Sequence, residues 1–122
     1  MTAPTPLTDT DLRFLTADYH PLGRLATVGA DGTPHVVPSG WTFNEILGTL
    51  DVTGRDVHTT KKFRDVARTG KAAIVVDGMA EGEGWSPWAI EIRGRAEAIS
   101  GPPSLIRIHP EHVRSWGLEQ VV

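Results

Sequence analysis

The run "TTKKFRDVARTGK", residues 59–71, gathers the residue types that hold an anion. Two hydroxyls, Thr59 and Thr60, precede two ammonium groups, Lys61 and Lys62, and Arg64, Arg68 and Lys71 follow. Five of the chain's 12 Lys and Arg residues fall here against one acid, Asp65, although the formal net charge is −3. Phe63, Val66 and Ala67 form an apolar stripe and Gly70 stands where a helix would end, so the pattern predicts a helix over 60–69. Cations prefer the C-terminal end of a helix, so lysines at its front are unfavourable by roughly a few tenths of a kcal/mol. A phosphate bound there reverses that sign. The free backbone N–H groups, both hydroxyls and both ammonium groups would then converge on it. A solvated basic face with snorkelling lysines accounts for the same residues.

Other reactive types are sparse. His35, His58 and Tyr19 are the candidate proton donors, with Tyr19 expected to pack its helix onto the rest of the chain. His109 and His112 have an H-x-x-H look, but Pro110 breaks the helix that would align their rings, and no carboxylate set completes a metal site. Glu91, Arg93 and Arg95 alternate along one strand face, as a row of ion pairs does. Trp85 and Trp88 stand in "EGEGWSPWAI", where they could wall a planar polycyclic substrate or fill an interface between subunits.

The elements that must position these groups are short. Thr8 and Asp11 resemble a capping box, and Leu12, Leu15 and Tyr19 recur at helical spacing, which predicts a helix over 9–19 after a loose tail at 1–7. Residues 23–29 alternate as a strand, and Asp31-Gly32 marks a hairpin to "PHVVPSGWTF", whose Pro38 points to an edge or a bulge. Residues 48–54 read as a half-buried strand, "KAAIVVDG" as a buried one and "AIEIRGRAEAI" as a long alternating one. The tail "LIRIHPEHVRSWGLE" reads as two short strands about the turn at His109-Pro110. The sum is one mainly-β domain over 1–122, a compact antiparallel barrel with two small helices.

Composition excludes several classes. The chain has 122 residues and no cysteine, so structural disulfides and thiolate chemistry are absent, as suits a reducing cytoplasm. The segment "MTAPTPLTDTD" lacks the basic and apolar regions of a secretory signal, and no run approaches the roughly 18 apolar residues of a membrane helix. A pI near 5.9 argues against bulk nucleic-acid binding.

"GRLATVGADGTPHVVPSGW", "TTKKFRDVARTGKAAIVVDG", "IEIRGRAEAI" and "LIRIHPEHVRSWGLE", taken in order from Leu22 to Glu119, resemble the pyridoxamine-phosphate-oxidase-like split β-barrels. Within them they are most similar to the coenzyme F420 (deazaflavin)-dependent reductases of actinobacteria. The resemblance implies a six-stranded split barrel that forms a homodimer, with cofactor clefts between subunits and a small-molecule substrate. It implies that Val37, Pro38, Ser39 and Gly40 meet the deazaflavin ring, with Thr53 near the ring or linker and Thr59, Thr60, Lys61 and Lys62 at the phosphate. Lys62 matches the family's lysine, while Asp65 stands where asparagine is usual, so Asp65 is expected to turn away toward Arg64 or Arg68. Close relatives often carry Trp-x-Pro-Arg-Gly where this chain has Trp85-Ser-Pro-Trp88-Ala89. The activity implied is hydride transfer from F420H2 to an activated C=C, with His35 as a candidate proton donor. An FMN-dependent oxidoreductase and a non-catalytic cofactor- or haem-binding protein remain open on the same barrel.

Overall fold

A computed structural model describes residues 5–82 and 84–122. Helix α1 (Asp9–Leu15) is followed by strands β1 (Gly23–Val28), β2 (Pro34–Asn44) and β3 (Thr49–Thr53). Helix α2 (Lys61–Thr69) leads into β4 (Lys71–Met79), β5 (Pro87–Ile99), β6 (Leu105–Ile108) and β7 (His112–Trp116). The hydrogen-bonded order β4-β1-β2-β3-β6-β5 closes through a β4–β5 ladder into a six-stranded antiparallel barrel, and β7 lies outside it on β5.

Alternation builds the barrel. Ile74 and Val76 on β4 and Ile90 and Ile92 on β5 point inward, where they meet Leu25, Leu50, Val52, Ile106 and Ile108. Each such burial contributes about 1.5–3 kcal/mol relative to an exposed side chain. On β3 the expected half-burial is exceeded, since Thr49 and Asp51 are buried as well. Asp51 can sit there because Arg107 of β6 donates two hydrogen bonds of 3.1 Å, Thr49 donates one and Asn44 another. Burial raises the Asp51 carboxyl, yet these donors outweigh it and the net direction is downward.

The helices close opposite ends. Thr8 and Asp11 form the expected capping box, but α1 stops at Leu15 rather than at 19. Thr16 is its C-cap: the Thr16 hydroxyl bonds back to the Leu12 carbonyl, and the next amide, Ala17, bonds the Phe14 carbonyl three residues back instead of continuing the ladder. Tyr19 therefore lies beyond the helix and is 70% exposed, contrary to the expectation that it packs inward. Phe14 takes that role, with ring centroids 6.4 Å from Trp41 and 5.2 Å from Trp88. The tail expected over 1–7 lies outside the described residues at 1–4, and its last residue, Leu7, is buried rather than loose. At the other end Phe63 and Val66 of α2 dock on the barrel, Ala67 stays exposed, and Gly70 caps the helix at φ 69°.

The two C-terminal strands do not pair with each other. They follow one another along β5, with β6 on residues 96–99 and β7 on residues 89–93, and the turn at His109-Pro110 joins them.

The two tryptophans expected to form one wall part company. Trp85 is 82% exposed, whereas Trp88 is 5% exposed and packs on Phe14. Trp88 lies opposite Gly78 on β4, where any Cβ would come within 2.6 Å of its indole. Urea denaturation should show Trp88→Ala losing about 3–5 kcal/mol, and Trp85→Ala within about 0.5 kcal/mol of the parent.

Candidate functional site

β2 changes partners midway. Residues 34–39 pair with β1 and residues 40–44 pair with β3, so the first half has no strand on the side away from β1 among the described residues. Its backbone groups on that side are open to a ligand. Alternation divides the four residues proposed to meet a ring. Val37 and Ser39 share the inward face with Trp41, while Pro38 and Gly40 face outward. A flat group along this edge therefore meets backbone more than side chains. Gly40 leaves open space, with nothing within 4 Å of where a Cβ would stand. Thr53 is its ladder partner and marks the fork where the β2–β3 pairing ends. Ser39 is 4% exposed, and its hydroxyl has no hydrogen-bond partner among the described residues.

The front of α2 faces the inward side of this half-strand. Thr60 is the N-cap. Its hydroxyl donates to the Val57 carbonyl at 2.6 Å and accepts from the Phe63 N–H at 3.4 Å. Thr59 donates to the Asp56 carbonyl at 2.7 Å. Helix geometry leaves the amides of Lys61 and Lys62 without intrahelical acceptors. Thr27 of β1, His35 and Val37 of β2, and Lys61, Lys62 and Asp65 of α2 together enclose a cleft of about 80 Å³. Gly29 permits this closeness, since a Cβ there would sit 3.0 Å from both the His35 Nε2 and the Lys61 Nζ.

Asp65 does not turn away from the lysines. It is 2% exposed and points into the cleft, where the Lys61 ammonium lies 3.0 Å from each carboxylate oxygen. The Thr27 hydroxyl donates at 3.0 Å and Arg68 at 3.4 Å, and Arg68 also reaches the Val28 carbonyl. The expected partner Arg64 instead donates to the Thr59 carbonyl at 3.1 Å. A carboxylate buried at the helix–strand junction takes every cation within reach, because an unpaired charge there is far costlier than one in water. Burial raises the Asp65 carboxyl, but the hydrogen bonds from Lys61 and Thr27 and the charges of Lys61 and Arg68 bring it net below the ordinary range. Lys62 keeps no carboxylate partner among the described residues.

Of the candidate site residues, the structure thus gathers His35, Val37, Lys61 and Lys62 in one cleft, with Thr60 capping its helix. His58 is elsewhere. Its Nδ1 lies 3.2 Å from the Ser104 hydroxyl, in a groove lined by Pro102 and Pro103. His109 contacts Glu97 at 2.6 Å, and Glu91 pairs with Arg93 at 3.5 Å on the outer face. Trp88 floors a separate hollow of about 540 Å³ walled by Tyr19, Met79 and Val121. Thr27 and Asp65 are the cleft residues that sequence reasoning did not assign to the site. The four-residue spacing of Lys61 and Asp65 was the available signal.

Because the folded carboxyl of Asp65 lies below its unfolded value, its contribution is present at neutral pH and is lost as pH falls through the folded value. Asp65→Asn should therefore be less stable than the parent at pH 7. The gap should narrow below about pH 4, as read by urea melts at pH 7 and pH 3.

Comparison with known proteins places this geometry. The family model for pyridoxamine 5'-phosphate oxidase matches residues 8–117. A 5a,11a-dehydrotetracycline/5a,11a-dehydrooxytetracycline reductase of Streptomyces rimosus is 37% identical over 123 residues, covering 93% of this chain and 85% of the relative. A conserved hypothetical protein of Mycobacterium tuberculosis shares the fold with a TM-score of 0.73 at 14% identity, over 98% of this chain and 91% of its own. A structure described as an F420 reductase does so at 0.64 and 18% identity, over 92% and 98%. A family match across nearly the whole chain, on a closed six-stranded barrel with its split at β2, makes this protein a member of the pyridoxamine 5'-phosphate oxidase family.

Proposed function

We propose that this chain is an F420H2-dependent reductase that delivers hydride to an activated C=C of a polycyclic enone. One observation carries the reading: an unpaired backbone edge on β2 and a lysine-bearing helix front share one cleft. That arrangement suits a planar ring joined to a phosphate. The edge of residues 34–39 offers hydrogen bonds to the ring's polar rim, and Gly40 leaves room at the fork that Thr53 marks. Lys62 and the free amides at the start of α2 take the phosphate, while Thr60, whose N–H and hydroxyl are both spent on the Val57 carbonyl, holds that helix end in place.

The deazaflavin, when bound, supplies the hydride, and the protein supplies position and a proton. His35 is the candidate donor, since it lines the cleft while His58 and Tyr19 lie away from it. The name of the Streptomyces relative, a reductase of dehydrotetracyclines, supports a polycyclic substrate. Trp85 remains available as a wall for such a substrate, whereas Trp88 is committed to the core. We also propose a homodimer, with Val36 of β2 and Val28 of β1 (67% and 43% exposed) in the subunit contact. Sedimentation velocity should then give twice the 13.2 kDa monomer mass.

Anaerobic fluorescence titration with F420 and with FMN tests the cofactor, and loss of F420H2 on adding a polycyclic enone tests turnover. Tight FMN binding without an F420 response would overturn the deazaflavin assignment. Binding without enone-dependent oxidation would favour a non-catalytic carrier. Lys62→Ala should weaken F420 binding by about 1.5–3 kcal/mol with little change in melting temperature. Unchanged affinity would place the phosphate elsewhere.

A further inference from the structure

The charges in the cleft are not all available to a ligand. Lys61 holds both oxygens of Asp65 at 3.0 Å, and Arg68 is divided between Asp65 and the Val28 carbonyl. Only Lys62 lines the cleft as an ammonium without a carboxylate partner among the described residues. Asp65 brings a negative charge to the same wall, with a side chain just 3% exposed.

Phosphate groups differ in what they need from such a site. A diester carries one negative charge, whereas a terminal monoester approaches two at neutral pH because its second pKa is about 6. The second charge calls for a second free cation, and it suffers twice the repulsion from a nearby carboxylate. We propose that Asp65 is a specificity-determining positioning residue: by holding Lys61 it leaves one free ammonium and selects a phosphodiester over a terminal phosphate monoester. This rests on the deazaflavin reading above. F420 presents its phosphate as a diester within its lactyl-glutamate tail, while FMN ends in a monoester.

The test uses two ligands that share one ring: F420, and the same deazaflavin ribityl chain ending in a terminal 5'-phosphate. Fluorescence titration of the full chain should give wild-type protein an affinity for F420 at least about tenfold tighter than for the monoester. Asp65→Asn should shrink that ratio about tenfold, mainly through tighter monoester binding as Lys61 is released. Lys61→Gln should widen it, since the carboxylate then faces the ligand with one less counter-charge. Lys61 is half-exposed, so this second variant keeps the test alive should Asp65→Asn fail to fold. A carboxylate that merely ties α2 to β1 would change melting temperature and leave the ratio alone. If wild-type protein binds F420 and the ratio stays fixed in the folded variants, the inference is wrong while the proposed function stands. If wild-type protein binds neither ligand, both fall.

Discussion

The barrel's functional geometry depends on a change of partner within one strand. β2 spends its first half on β1 and its second half on β3, with the switch between Ser39 and Gly40. A closed barrel normally leaves no edge, and a soluble protein has reason to hide one, since free N–H and C=O groups recruit other strands. Here six residues of edge are retained. Pro38 stands within them, and Thr53 sits where the β3 ladder gives out. The edge is short, interrupted by proline and overlooked by α2, so it suits a flat ligand better than an added strand.

The lysines at the front of α2 become intelligible against that edge. Cations at a helix N-terminus oppose the macrodipole, and the chain compensates Lys61 with Asp65 one turn later. Asp65 is itself stable only because Thr27 and Arg68 complete its hydrogen bonds in a site that water barely reaches. This pinning fixes the helix against β1 and closes the cleft wall. Lys62 gains nothing from the arrangement internally. Among the described residues its charge has no carboxylate partner, which is the condition under which a bound anion adds most.

Local chemistry was legible in the sequence where it is decided locally. The capping box at Thr8 and Asp11, the hairpin at Asp31-Gly32 and the glycine stop at Gly70 need only neighbouring residues, and each lies where the spacing placed it. The spacing of Leu12, Leu15 and Tyr19 runs past the true end of α1 because it is blind to the point where the Ala17 amide leaves the ladder for the Phe14 carbonyl. The orientation of Asp65 was legible only in part from 59–71: its four-residue spacing from Lys61 marks one partner, whereas Thr27, which ties it to β1, lies 38 residues away. Pro38 in "HVVPSG" signals an edge or a bulge, and residues 34–39 do leave one side without a strand among the described residues, but the point where the strand changes partners follows from where β3 ends. Strand alternation and turn signals pointed to a compact antiparallel barrel and the family resemblance to its six-stranded split form, while the contacts within the cleft had to come from the packed chain.

The fate of the two tryptophans shows how the same packing constrains the substrate side. Trp88 stands opposite Gly78, and the missing side chain there makes room for its indole against Phe14. Once that indole fills the barrel end together with Trp41, it cannot also present a face to a ligand beside Lys62. The two ends of β1 mark the division: Trp41 anchors to the Pro21 carbonyl just before the strand begins, whereas Thr27 meets Asp65 near its finish. Aromatic mass therefore closes one end and charge organises the other. On the proposed reading, a polycyclic substrate over the β2 edge would find its apolar wall among side chains that remain exposed, such as Trp85, or on a second subunit laid across Val28 and Val36. An incomplete apolar wall beside a polar cleft is what the proposed dimer would leave on each copy of the chain alone.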